Sequence, residues 1–261
     1  MQTLTITIIQ ANLFWENKKA NLEMLTQKIN SITTATELVV LPEMFSTGFS
    51  MQPEKLAETM DGKTMNWMKN IATTKKIILT GSIIIKEENK FYNRLIWMLP
   101  TGQYYHYDKR HLFAFANEHQ HYTAGNKRVI AQVKGWKINL QVCYDLRFPV
   151  WARQANEAEY DVLLYVANWP ERRSHAWKTL LTARAIENQS YVVAVNRVGN
   201  DGNNIYHSGN SMVIDAQGNE LYHKTDEEDV FTITLQKEAL QEVRNKFPFL
   251  KDADKFSLNI F

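Results

Sequence analysis

The chain alternates two apolar rhythms. Short runs rich in Ile, Val, Leu and Tyr fall at residues 4–10 (LTITIIQ), 37–42 (ELVVLP), 76–85 (KIILTGSIII), 91–99 (FYNRLIWML), 136–143 (WKINLQVC), 161–168 (DVLLYVAN), 191–197 (YVVAVNR) and 230–235 (VFTITL). Their length and their β-branched and aromatic content predict strands. Between several of them the apolar residues recur at helical spacing, over 18–32, 62–74, 148–158, 173–189 and 236–247. These stretches predict helices. Pro100-Thr101-Gly102 and Ala216-Gln217-Gly218-Asn219 supply turn chemistry between neighbouring runs, which adds hairpins to the strand–helix–strand units. The pattern predicts an α/β layered fold with a mixed sheet. So many strands crowd a single sheet, so two packed sheets with helices outside are expected. At 261 residues and 44% hydrophobic composition the chain can bury one large core, and a single domain over residues 1–261 is expected.

In open α/β sheets the loops leaving the carboxyl ends of the strands build the site, and here those exits are polar. ELVVLP leads into Glu43, QYYHY into Asp108-Lys109-Arg110, INLQV into Cys143-Tyr144-Asp145, LLYVA into Asn168-Trp169, and VVAV into Asn196-Arg197. Three exits thus offer a carboxylate, an ammonium and a thiol. Cys143 is the only cysteine, and a cysteine reacts as thiolate, which needs a base, a cation or a helix N-terminus nearby. Pro149 suits the first turn of a helix, so a strand–turn–helix arrangement would expose Sγ and aim backbone N–H groups at whatever it attacks. Taken alone, an isolated cysteine closing an apolar strand reads as a small buried hydrophobe. Glu43 follows Pro42 and emerges as the strand ends, beside Met44 and Phe45. It reads as a general base or as a surface residue capping a turn. Lys109 lies in YHYDKRHLFAF, too apolar a setting for a solvated loop. It could hold an oxyanion, or pair with Asp108 or Asp145.

Charge narrows the partners. Thirty Lys and Arg stand against 28 Asp and Glu, a formal balance of +2, with no basic stripe, so nucleic acid is not an expected partner. The N-terminus lacks a basic segment followed by an apolar stretch and a cleavage site, and no apolar run approaches the roughly 20 residues that span a bilayer. A cytoplasmic chain without a membrane partner is expected. His106, His111, His119 and His121, with Glu118, do not form HExxH or another zinc pattern, so no metal is expected. The absence of GxGxxG after the first strand removes a dinucleotide site. A cysteine protease with a Cys–His pair stays open, because such partners meet only in space.

Glu43 in LPEMF, Lys109 in YDKRHLF and Cys143 in CYDLRFP together resemble the three signature segments of the nitrilase superfamily of carbon-nitrogen hydrolases, in the same order. The resemblance runs over nearly the whole chain, including the ARAIENQ run, and implies a four-layer αββα sandwich with a Glu-Lys-Cys catalytic set. Nitrile-cleaving members usually carry Cys-Trp-Glu, whereas Cys-Tyr-Asp-x-Arg-Phe is similar to the bacterial omega-amidase branch. That branch implies hydrolysis of the terminal amide of 2-oxoglutaramate, 2-oxosuccinamate or succinamate through a cysteine thioester, with no cofactor. The family's second glutamate falls at Glu118, which would orient Lys109 and the substrate amide. Two positions depart from relatives: Ala114 stands where several have Asp, and Phe49 where some animal omega-amidases have Tyr. For the distal carboxylate of the substrate Arg147 is the candidate, with a structural pair to Asp145 as its alternative role. Tyr144 would add a backbone N–H, and Trp169 and Phe49 would form walls. The resemblance further implies a homodimer or larger oligomer, with the segment 173–188 contributing; its Trp177, Leu180, Leu181 and Ile186 could equally face the chain's own core. Another small-molecule amidase, a carbamoyl-amide hydrolase, or a catalytically silent binding protein on the same fold are the alternatives.

Overall fold

The apolar runs pair edge to edge into two sheets. The structure is a computed structural model and describes residues 2–154 and 159–258. Among these residues the strands are β1 (Thr3–Gln10), β2 (Leu38–Val40), β3 (Ile78–Glu87), β4 (Lys90–Met98), β5 (Tyr104–Asp108), β6 (Ile130–Val133), β7 (Trp136–Val142), β8 (Val162–Ala167), β9 (Tyr191–Asn196), β10 (Val198–Asn200), β11 (Tyr206–Ile214), β12 (Glu220–Thr225) and β13 (Asp229–Gln236). The helices are α1 (Lys18–Asn30), α2 (Pro53–Leu56), α3 (Lys63–Lys75), α4 (Glu118–His121), α5 (Pro149–Ala152), α6 (Ser174–Asn188) and α7 (Lys237–Lys246). One sheet has the order β13-β1-β2-β3-β4-β5 and the other β10-β11-β9-β8-β7-β6, with β12 on β11. Each is mixed. β1, β2 and β3 run parallel, as do β7, β8 and β9, and the outer strands add antiparallel.

Strand periodicity sorts the layers. Leu4, Ile6 and Ile8 of β1 join Leu38, Val40, Leu95 and Trp97 in a core shared with Ile138, Leu140 and Val142 of the second sheet. The alternate residues Ile9, Val39, Leu41 and Leu79 pack against Leu25 and Ile29 of α1 and Met65, Met68 and Ala72 of α3. On the far side Trp177, Leu181 and Ala185 of α6 cover the second sheet. The result is the αββα sandwich, and β8 and β9, covered on both faces, are buried at every position. Local signals agree with it: the Asn17 side chain accepts the Ala20 N–H at 3.1 Å and caps α1, while Gly102 and Gly218 take positive φ in the two turns.

One expected helix is cut short. Among its described residues the stretch 148–158 is helical over Pro149–Ala152, and residues 155–158 lie outside the described residues. Arg153 is extended, its carbonyl accepts from Arg128 Nη1 at 3.0 Å, and the Gln154 N–H donates to Asn188 Oδ1 at 2.9 Å. Tertiary partners have taken the backbone groups that a longer helix would have paired internally.

Candidate active site

Four chain segments deliver the polar groups. Past β2, the Leu41 N–H still bonds to the Thr80 carbonyl, and Pro42 then turns the chain. Met44 adopts φ 43° with its N–H donating to Ser82 Oγ at 2.8 Å, and the Glu43 carboxylate is directed inward, fully buried. Lys109 follows β5 and is held by two backbone bonds, its N–H to the Asn93 carbonyl at 3.0 Å and its own carbonyl accepting the Gly125 N–H at 2.9 Å. That approach needs glycine, because a Cβ at position 125 would lie 2.1 Å from the Asp108 carbonyl oxygen. Glu118 opens α4, and its Oε2 accepts the Phe113 N–H at 2.6 Å. Cys143 begins a 3-10 turn directly after β7, at φ 45°. A cysteine serving only as packing needs no such conformation.

The side chains converge. Lys109 Nζ lies 3.0 Å from Glu43 Oε1 and 3.0 and 2.9 Å from the two oxygens of Glu118. Asn93 Nδ2 donates to Glu43 Oε1 at 2.8 Å and to Glu118 Oε1 at 3.2 Å. The remaining Glu43 oxygen, Oε2, accepts the Asn168 N–H at 2.8 Å, and the Asn168 side chain returns to the Glu43 carbonyl at 2.6 Å. Glu43, Lys109 and Glu118 are at most 1% exposed and Cys143 is 8% exposed. Charges so deeply buried persist only when matched.

Electrostatics follow from this crowding. Burial alone would pull the Lys109 ammonium down, but Glu118 and Glu43 together hold it above the usual lysine range. Glu118 is pushed up, by burial first and by Glu43, with Lys109 pulling the other way. Two carboxylates share one ammonium. Burial and then the Glu43 charge raise the Cys143 thiol well above its ordinary value, opposed by Lys109 and by the Asn168 N–H. The resting sulfur is therefore a thiol beside a base, and not a standing thiolate.

Above the sulfur opens a pocket of about 290 Å³. Phe49, Lys109, Cys143, Tyr144, Arg147 and Trp169 all line it, so each substrate-binding residue expected from sequence borders the same space as the nucleophile candidate. Phe49 lies under the Lys109 ammonium, 5.1 Å from Nζ to the ring centre, and the Arg147 guanidinium lies over Trp169 at 5.1 Å. Arg172, Arg173, Phe113, Asn168, Asp201 and His207 also line the pocket.

A model of the carbon-nitrogen hydrolase family matches residues 5–245. The chain belongs to that family. It is 46% identical to the omega-amidase YafV of Escherichia coli strain K12, over 99% of this chain and 100% of that one. It is 31% identical to a 2-oxoglutaramate amidase of Bacillus subtilis, over 96% and 98% of the two chains. Among solved structures it matches a carbon-nitrogen hydrolase superfamily protein from Xanthomonas campestris, described with an arsenic adduct in its active site, at 44% identity and a TM-score of 0.96, covering 99% and 100%.

In this carbon-nitrogen hydrolase several alternatives raised by sequence do not hold. Lys109 does not pair with Asp108, which instead takes Arg94 at 2.6 Å, nor with Asp145. Asp145 is occupied by Tyr107, His111 and Val142, which leaves Arg147 over Trp169 and not beside Asp145. His111 faces Asp145 and not Glu118. Sequence reasoning did not single out Asn93, Arg172, Arg173, Asp201 or His207. For Asn93 no signal existed, because it lies mid-strand in β4 and reaches the site only through the sheet. Arg172 and Arg173 follow the Asn168-Trp169 exit by a few residues, and that exit was the available clue.

Proposed function

We propose that this enzyme is an omega-amidase that cleaves the terminal amide of 2-oxoglutaramate, 2-oxosuccinamate or succinamate to the dicarboxylate and ammonia. The observation that carries the reading is a buried Glu43–Lys109–Glu118 cluster beside a lone thiol, at the floor of a pocket that three arginines also line. The full-length similarity to amidases of this type supports it.

Glu43 Oε1 is engaged by Lys109 and Asn93, so Oε2 has the spare lone pair and is the atom that takes the Sγ proton. Sulfur attacks the carboxamide carbon and forms the C–S bond. Lys109 and the Tyr144 N–H hold the oxyanion, at about 3 kcal/mol per donor. The C–N bond then breaks as Glu43 returns its proton to nitrogen, and ammonia leaves. Water, deprotonated by Glu43, hydrolyses the thioester and restores the thiol. Glu118 fixes the Lys109 ammonium through two bonds and orients the amide. No cofactor takes part in these steps.

The distal carboxylate goes to Arg147, joined at the pocket wall by Arg172 and Arg173, with Trp169 and Phe49 enclosing the carbon chain. Ammonia release measured across 2-oxoglutaramate, succinamate, glutamine, asparagine and a simple nitrile tests the assignment. Turnover confined to ω-monoamides of dicarboxylates is expected, and preference for the nitrile or for an uncharged amide would overturn it. A cytoplasmic location, where a lone thiol stays reduced, fits this chemistry. Among the described residues no helix is long and apolar enough to cross a membrane. The dimer proposed on α6 has one apolar residue to use, Ile186 at 51% exposed, because Trp177 and Leu181 are buried in the chain's own core and Leu180 packs on it. Light scattering of an Ile186→Glu variant tests it, and an unchanged dimer mass would remove α6 from the contact.

A further inference from the structure

One buried carboxylate beside the site takes no part in these steps. Asp145 is fully buried, two residues past Cys143, and burying a carboxylate is costly unless donors surround it. Four do. Oδ2 accepts the Tyr107 O–H at 2.7 Å and the Val142 N–H at 3.0 Å. Oδ1 accepts the His111 N–H at 2.9 Å and His111 Nδ1–H at 2.8 Å. Tyr107 and His111 stand two residues before and two after Lys109, and Val142 immediately precedes Cys143.

We propose that Asp145 is a positioning residue that fixes Lys109 against Cys143, one carboxylate clamping the two strand exits that carry them. The inference rests on the reading that this pair acts on an amide. β5 and β7 lie in different sheets, so no hydrogen-bonded ladder registers their ends, and apolar packing between sheets is not directional. Directional bonds must set the spacing, and about 1 Å of misplacement costs on the order of 100-fold in rate. Cys143 also holds φ 45°, which persists only where the surroundings over-determine it. Two further bonds stiffen the clamp, because Tyr107 Oη accepts Trp151 Nε1–H at 2.9 Å and the Arg110 N–H at 3.2 Å. His111 stacks on Phe148 with ring centres 3.8 Å apart. Asparagine cannot substitute. Tyr107 Oη already accepts twice and must donate, and the backbone N–H groups of Val142 and His111 only donate, so an amide NH2 would meet a donor whichever way it turned.

The experiment compares Asp145→Asn, Tyr107→Phe, His111→Asn and His111→Leu by steady-state kinetics on succinamate, by melting temperature, and by the pH dependence of iodoacetamide alkylation at Cys143. Asp145→Asn should lower kcat by about 100-fold while KM stays within about threefold, as expected for lost alignment. It should also alter the alkylation profile, because the Lys109 charge acts on this thiol. Tyr107→Phe should lose about tenfold in kcat, having lost one of the four donors. His111→Asn keeps a donor where Nδ1 stood and should retain more kcat than His111→Leu. A kcat for Asp145→Asn within threefold of the parent, or a loss that follows only the folded fraction with alkylation unchanged, overturns the proposal. Should Asp145→Asn fail to fold, equal kcat in the two His111 variants overturns it. Failure of the amidase reading is separately visible: the parent enzyme would release no ammonia from any ω-amide, while Asp145→Asn still changed alkylation.

Discussion

The floor and the rim of the pocket use charge in opposite ways. At the floor, Glu43, Lys109 and Glu118 are matched to one another within 3.0 Å and sealed from solvent. At the rim, Arg147 and Arg173 lie over the faces of Trp169 and Phe113, and among the described residues neither they nor Arg172 forms an ion pair with a carboxylate. Burial, then Arg172 and Arg147, lowers Arg173. A matched buried cluster is pre-organised and needs no outside counter-ion, which suits it to hold reacting groups in place. Guanidinium groups stacked on aromatic rings without an acid are ordered yet unneutralised, which suits them to receive an anion. On the mechanism proposed above, the two regions divide the reaction between chemistry and recognition.

The sharpest break of that comparison is at the sulfur. Cys143→Ala should lower ammonia release by on the order of 10⁵-fold or more while leaving the melting temperature nearly unchanged, measured by calorimetry beside a coupled ammonia assay. Residual turnover near that of the parent would sink the floor as the seat of chemistry. Next in size is Lys109→Met, which leaves two buried carboxylates without their cation and should cost about 3–5 kcal/mol of stability as well as activity. Adding Glu118→Gln should restore part of the stability and none of the activity. Denaturant titration separates the two, and equal stability of the single and double variants would contradict the matched-charge account.

His207 tests the wall between floor and rim. Burial, and then the Arg197 charge, depress its pKa to about 4. The folded chain therefore refuses a proton that the unfolded chain takes up near pH 6.5. The neutral imidazole contributes stability that is fully present above pH 6.5 and is lost as pH falls towards 4, on the order of 3 kcal/mol across that window. His207→Asn should flatten this part of the stability–pH curve, read from melting temperatures at closely spaced pH values. The smallest effect belongs to the rim. Arg147→Met or Arg173→Met should raise KM for succinamate by about ten- to 100-fold, matching about 1.5–3 kcal/mol for a charge-assisted bond. Turnover of an uncharged amide should stay constant. Unchanged discrimination in both variants would remove the rim from recognition.

How much of this was legible beforehand depends on how local the cause was. Four of the five expected helices, α1, α3, α6 and α7, and the inner strands could be read because their periodicity is written in consecutive residues. β11 was missed because half of its buried positions are polar: His207, Ser208, Asn210 and Ser211. The Ser211 N–H finds Gln10 at 3.0 Å and the Asn210 carbonyl takes Trp177 Nε1–H at 2.7 Å. Such residues become core only through partners distant in sequence. The helix expected over 148–158 stops at Ala152 for the same reason, because Arg128 and Asn188 claim the backbone of Arg153 and Gln154.

By itself the sequence determined the alternating elements, the polar strand exits and the identity of Glu43, Lys109 and Cys143 as groups worth bringing together, since residue type and local spacing follow from chemistry within a few residues. Only the tertiary structure decided that Lys109 bridges Glu43 and Glu118, that Asn93 ties those two carboxylates, that Asp145 braces the strand exits and leaves Arg147 to the pocket, and that Arg172 and Arg173 join it there. These outcomes depend on distances between segments far apart in the chain, and such distances are set when two sheets pack face to face.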